Sequence, residues 1–156
     1  MKKIFYLFLL ILFLSFNTVE GSLIPLGNPT YAKSISSLYG MRKHPIFHKN
    51  KFHYGVDLYV NCGMPVYTTM DGFVRYAGYW GNYGLVVIIQ NSKYITVYGH
   101  LSKIAVKSGT IVKRGNVIGL TGRTGLSTGC HLHYEIRDAK NTVSYNPIYF
   151  IYGAVK

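Results

Sequence analysis

From residue 22 onward no stretch of about 11 residues or more repeats its apolar positions at helical spacing; short β-branched and aromatic runs take their place. Phe73 to Tyr76, Leu85 to Ile89, Tyr94 to Tyr98, Ile104 to Val106, Val117 to Leu120 and Leu132 to Ile136 each have the length and composition of a strand. Turn signals stand between them: Asp71-Gly72, Gly81-Asn82, Asn91-Ser92, Ser108-Gly109, Arg114-Gly115 and Gly122 to Gly125. This cadence predicts an all-β domain of antiparallel strands, a sandwich or a partly open barrel. Residues 38–150 read as that domain, 22–37 as an irregular lead-in, and 151–156 as a tail, with a closing strand or tail from 144.

The first residues follow another rule. Met1-Lys2-Lys3 precedes an unbroken apolar run over residues 4–16, and small or polar residues come after it, which is the pattern of a signal peptide. Residues 1–21 are assigned to it, with cleavage expected after Gly21. The run falls short of the ~20 residues that span a bilayer, and no second run of its length follows, so the mature chain is expected to have no stable transmembrane span. The expected destination is the periplasm or the extracellular cell wall.

Composition narrows the partners. With 49% apolar and 15% aromatic residues the chain is too hydrophobic for disorder, and two cysteines are too few for a disulfide-built miniprotein. Its net charge is +12, from 17 Lys and Arg against five Asp and Glu, and the basic residues are scattered from Lys33 to Lys140 instead of forming one stripe. In an exported protein such a surface points to anionic wall polymers or envelope head groups more than to nucleic acid, or to a soluble basic surface with no particular partner, since charge alone names no ligand.

The histidines carry the chemistry. His53 and Asp57 stand four apart around Gly55, and a straight strand would hold their side chains ~13 Å apart. A tight bend at Gly55 would bring them together. In His131-Leu132-His133-Tyr134-Glu135-Ile136 the alternation puts Leu132, Tyr134 and Ile136 on an apolar face, with His131, His133 and Glu135 opposite. Two histidines and an aspartate are ligands that zinc accepts, and three protein ligands leave a fourth position for water, the open site of a catalyst. His100 is a further candidate imidazole. Glu135 reads as a structural hydrogen-bond or salt-bridge partner, His44 and His48 as surface or cleft-edge residues, and Arg42 as either a frame of the groove or a solvated cation.

At these residues the chain resembles the lysostaphin-type zinc endopeptidases, the family that includes LytM, over roughly residues 38–147. The likeness runs through Tyr39 to Pro45, His53 to Asp57, Gly63-Met64-Pro65-Val66, Gly81-Asn82-Tyr83-Gly84, Tyr98-Gly99-His100-Leu101 and Gly115 to Gly119, and is densest over Thr124 to Glu135. It implies one zinc ion held by His53, Asp57 and His133 in a groove across one sheet, with His131 as general base and His100 as the group that stabilises the transition state. It implies cleavage of peptide bonds in peptidoglycan stems or cross-bridges, with the peptidoglycan peptide as substrate. A metal-binding but inactive wall-recognition module is the alternative. Cys62 and Cys130 lie close in sequence to the proposed ligands, which leaves a disulfide, free thiols and a zinc-binding thiol all open.

Overall fold

The computed structural model describes residues 23–43 and 48–153. The expected signal peptide lies outside them, as does His44. The strands are β1 (Ser34–Ser37), β2 (Gly40–Lys43), β3 (Asn50–His53), β4 (Val56–Tyr59), β5 (Pro65–Tyr67), β6 (Gly72–Tyr79), β7 (Leu85–Gln90), β8 (Tyr94–Leu101), β9 (Lys103–Ile104), β10 (Ile111–Val112), β11 (Val117–Leu120), β12 (His131–Asp138) and β13 (Ser144–Tyr145). A 3-10 turn at Gly81–Tyr83 and a short helix at Ile148–Ile151 complete the described elements. That helix is too short to cross a membrane.

Every strand pairing among the described residues is antiparallel; short connections account for the successive pairs β6-β7, β7-β8 and β12-β13, while β4-β12, β8-β12 and β5-β11 pair across long stretches of chain. The large sheet runs β1-β4-β12-β8-β7-β6-β10 with β13 added beside β12; β5-β11-β9 form a second sheet and β2-β3 a separate hairpin. Neither sheet closes into a barrel. Alternation along the long strands decides which face is buried. Leu132, Tyr134 and Ile136 of β12, Tyr98 of β8 and Val87 and Ile89 of β7 enter one core together with Val66 and Ile118 of the second sheet. Inside that core Thr69 Oγ1 lies 2.7 Å from Tyr134 Oη and 3.1 Å from Tyr98 Oη, so the phenol hydroxyls are not buried without partners.

Two expectations are corrected at the chain's ends. The lead-in is not irregular throughout: β1 pairs with β4, Ile35 opposite Leu58, and becomes an edge of the large sheet. Its Ser-Ile-Ser-Ser sequence has one apolar residue, so pairing rather than periodicity makes it a strand. After β13 the chain turns into the helix, whose Phe150 and Ile151 pack into the core, so residue 151 belongs to the domain rather than to a tail.

Thr69→Val keeps the shape of the buried threonine and removes the oxygen that two phenols share. Urea unfolding is expected to show a loss of about 1–3 kcal/mol with an unchanged m-value.

Candidate metal centre and active site

The row that builds the site crosses three strands. His133 of β12 lies opposite Asp57 of β4 on one side and Gly99 of β8 on the other, so these residues share the sheet face turned away from the main core. His53 ends β3, and the chain bends through Tyr54 and Gly55 before β4 begins at Val56. That bend replaces the ~13 Å of a straight strand with 3.2 Å between His53 Nε2 and Asp57 Oδ1. Gly55 is required for a reason other than backbone freedom. A Cβ there would lie 2.8 Å from Glu135 Cγ and collide with the Tyr134 carbonyl, so the bend can pass β12 only without a side chain.

His100 reaches the same face by breaking the alternation. Leu85 faces Leu101 and Val87 faces Tyr98, so two steps of β7 span three of β8 and one residue of β8 is extra. His100 has a φ of 61°, a left-handed conformation uncommon for a residue with a side chain. Regular alternation would put it in the core with Tyr98; the bulge turns it to within 4.6 Å of the His131 ring, between centroids, while Leu101 returns to the core. Backbone strain of this kind costs of order 1–3 kcal/mol and clusters at functional sites.

Each of the four imidazoles has one ring nitrogen committed to an acceptor. His53 Nδ1–H donates to Leu38 O at 2.9 Å, His100 Nδ1–H to Thr124 O at 2.8 Å, His131 Nδ1–H to Gly129 O at 2.9 Å, and His133 Nε2–H to Glu135 Oε1 at 2.7 Å. Carbonyls and a carboxylate only accept, so these contacts set the tautomers and, in the neutral ring, leave the other nitrogen as an acceptor. His53 Nε2 and His133 Nδ1 then stand 3.1 Å apart, with Asp57 Oδ1 at 3.2 and 2.9 Å from them. Three acceptors in contact need a cation between them. This is the donor chemistry of a divalent metal site, and among the described residues His53, Asp57 and His133 are the group whose ligand atoms all lie within 4.8 Å of one another.

Charge follows the same logic. Burial disfavours ionised Asp57, yet hydrogen bonds and charge from His133 and His53 prevail and hold its carboxyl far below the usual range. Burial also works against protonated His133, but Asp57 and Glu135 outweigh it and raise the ring to about 9. The centre is thus built to hold positive charge. His100 goes the other way, lowered to about 4 by burial and then by the neighbouring His131, so it is neutral at pH 7.

Behind His133 stands a second set of residues. Glu135 is buried, and it accepts from His133, from Tyr83 Oη–H at 2.7 Å and from Arg137 Nε–H at 2.6 Å. Burial would raise its pKa, but His133 and Arg137 bring it down to about 2, so it stays ionised. Tyr83 is the residue the sequence reading left out of the site. Its ring sits 5.6 Å from that of His133, and its segment Gly81 to Gly84 had registered only as a turn and as part of the resemblance. Arg42 lines the groove, with Nη2 3.6 Å from Asp57 Oδ2; His48 is exposed and lies apart from it.

The groove over these residues holds about 310 Å³. His131 Nε2 lies 3.7 Å from Asp57 Oδ1, close to the three acceptors but not one of them. A Cys62–Cys130 disulfide ties the loop after β4 to the residue before His131, so neither cysteine is available as a metal ligand.

Comparison with known proteins places this arrangement. The model of peptidase family M23 matches residues 51–147. The chain is 47% identical over 109 residues to the peptidoglycan DD-endopeptidase ShyB of Vibrio cholerae, covering 68% of this chain and 25% of that protein. The catalytic domain of the antimicrobial peptidase lysostaphin from Staphylococcus simulans superposes with a TM-score of 0.70 at 32% identity, covering 76% of this chain and 92% of that one. A zinc-containing peptidase from Vibrio cholerae gives a TM-score of 0.69 at 38% identity, covering 79% and 39% of the two chains. The chain spans about a quarter of the length of the curated relatives it matches.

Glu135→Gln keeps the volume and removes the charge that fixes His133. Its affinity for zinc, measured by competition with a chromophoric chelator, is expected to fall about 10- to 100-fold with the circular dichroism spectrum unchanged.

Proposed function

The chain belongs to peptidase family M23, and from that premise we propose that it is an exported, zinc-dependent endopeptidase that hydrolyses peptide bonds in the stems or cross-bridges of peptidoglycan. The observation that carries the reading is the convergence of three metal-type acceptors with two further imidazoles in one groove. Zinc held by His53, Asp57 and His133 would supply a Lewis acid for the scissile carbonyl and acidify a water at its open position.

The chain's own side chains move the proton. His131, its Nδ1–H spent on Gly129, offers Nε2 as the general base that takes a proton from the attacking water and returns it to the leaving amine. His100, neutral and with its Nδ1–H spent on Thr124, can only accept at Nε2. It would therefore accept a hydrogen bond from the attacking water and hold it in line, while the positive charge that His131 gains with the water's proton, 4.6 Å away between ring centroids, stabilises the developing oxyanion until that proton passes to the leaving amine. Leu38, Gly129, Thr124 and Glu135 hold all four rings in place, so little reorganisation is left for the reaction itself.

Export rests on the pattern of residues 1–21, and the disulfide supports an oxidising compartment such as the periplasm or the extracellular wall. The likeness to ShyB favours a D,D cross-link as the bond cut. The basic surface would hold the enzyme on anionic wall polymers.

Purified chain is expected to release new free amino groups from peptidoglycan, and a zinc chelator is expected to stop the release. His131→Ala should lose turnover by about 100-fold or more while keeping most of its metal, whereas His133→Ala should lose the metal as well. No release by folded, zinc-loaded protein from several wall chemistries would favour the inactive recognition module instead. Retention on isolated walls should fall steeply between low salt and about 1 M, where screening shortens the reach of charge to about 3 Å; salt-independent retention would remove the electrostatic part of the proposal.

A further inference from the structure

A second cavity opens on the same sheet face as the metal groove, and at about 560 Å³ it is the larger of the two. Tyr83 forms a wall of both. The floor is Ile88, Ile95 and Val97, part of an apolar cluster separate from the main core. Strand register makes this floor continuous with the site: Val97 lies opposite Glu135 and Ile95 opposite Arg137, on the strand that carries His133.

The cavity's outer wall is aromatic. Trp80 leaves 55% of its surface exposed beside that apolar floor, with its ring 5.6 Å from the Tyr76 ring and 6.4 Å from the Tyr83 ring. The Tyr76 ring is held in place, its hydroxyl donating to Tyr79 O at 2.9 Å, and Gly78 makes room for it, since a Cβ there would lie 2.9 Å from that hydroxyl. Polar donors stand at the rim. Arg75 commits Nη1 to Gln90, and Asn141, whose Oδ1 accepts from Arg137, has its amide nitrogen to donate. Apolar floor, rigid rings and rim donors suit a ligand with flat C–H faces and equatorial polar groups, and the volume is in the range of roughly 300–1,000 Å³ typical of small-ligand sites.

Distance selects among such ligands. Ring spacings of 5.6 Å from His133 to Tyr83 and 6.4 Å from Tyr83 to Trp80 lie within the reach of a four-residue peptide, at most about 13–14 Å. A stem peptide whose scissile bond sits at the metal groove would bring its own sugar to this cavity. We propose that the cavity walled by Tyr76, Trp80 and Tyr83 is a glycan subsite that seats an N-acetylated sugar ring of the strand whose stem peptide is being cut. The inference rests on the peptidoglycan-hydrolase reading and adds to it the part of the substrate that the peptidase groove does not hold.

Trp80 is the chain's single tryptophan, so its emission reports on this cavity directly. A β-1,4-linked N-acetylglucosamine tetramer, free of peptide, is expected to shift that emission saturably in the full chain, with or without chelator. Trp80→Ala is expected to reduce about tenfold the preference in kcat/KM for glycan-linked over sugar-free cross-linked peptide, with the change carried by KM, and Trp80→Phe is expected to restore most of it. An emission change with a sugar-free stem tetrapeptide but not with the sugar tetramer would overturn the proposal in favour of a peptide subsite. No change with either would overturn it outright. Hydrolysis that persists without sugar binding sinks the subsite alone, whereas sugar binding without hydrolysis of any substrate sinks the peptidase reading and leaves the subsite standing.

Discussion

Strand β12 has to satisfy two environments at once, and the molecule is arranged around that requirement. One face of it contributes Leu132, Tyr134 and Ile136 to the core shared by both sheets. The other carries His131, His133, Glu135 and Arg137 into the site and its support. A slip of one residue would exchange the two sets and put two imidazoles and a carboxylate among leucines and valines, so the register is tightly specified. β4 and β8 hold it from both sides, and they are also the strands that supply Asp57 and His100. Stability and chemistry therefore depend on the same pairing.

Prepaid orientation is the theme of the site. Three of its histidines donate to backbone carbonyls from the turn or loop nearest to them, and the fourth donates to Glu135, itself gripped by Tyr83 and Arg137. Which nitrogen of each ring faces the groove is set by those donations. Two costs are visible in the backbone. His100 is held in a left-handed conformation, and Gly55 gives up a side chain so that a bend can pass under Glu135. A fold optimised for stability alone would need neither.

Five of the six apolar runs were legible as strands from their length and composition, whereas of Ile104 to Val106 only Ile104 lies in one; the two-faced reading of residues 131–136 already placed the histidines opposite the core. Strands β1, β5, β10 and β13, of two to four residues, are too short for a period to appear and exist because a neighbour pairs with them. Alternation gives the wrong face for His100, since Tyr98-Gly99-His100-Leu101 shows no sign of the extra residue; only family likeness put that imidazole in the site. Gly55 was legible as special but for the wrong reason, because the strand it must avoid lies about 80 residues away in the chain. Tyr83 escaped notice for a related reason: its partner, Glu135, is supplied by a distant strand.

The scarcity of acids explains more than the net charge. Of the five acidic residues, Glu20 lies outside the described chain, Asp57 belongs to the metal-type trio and Glu135 is buried behind His133. Asp71 accepts from Lys113 Nζ and the Arg114 amide, and Asp138 closes the turn before β13 by accepting from Thr142 and Val143. Every described carboxylate is thus committed to a bond that shapes the fold or the site, and the lysines and arginines scattered over the surface are left with little to offset them. The same economy concentrates divalent-metal chemistry in one place, since among the described residues Asp57 and Glu135 are the carboxylates near the four imidazoles and Glu135 is already occupied by three donors. The positive surface and the single metal-type trio among the described residues are two consequences of one compositional choice.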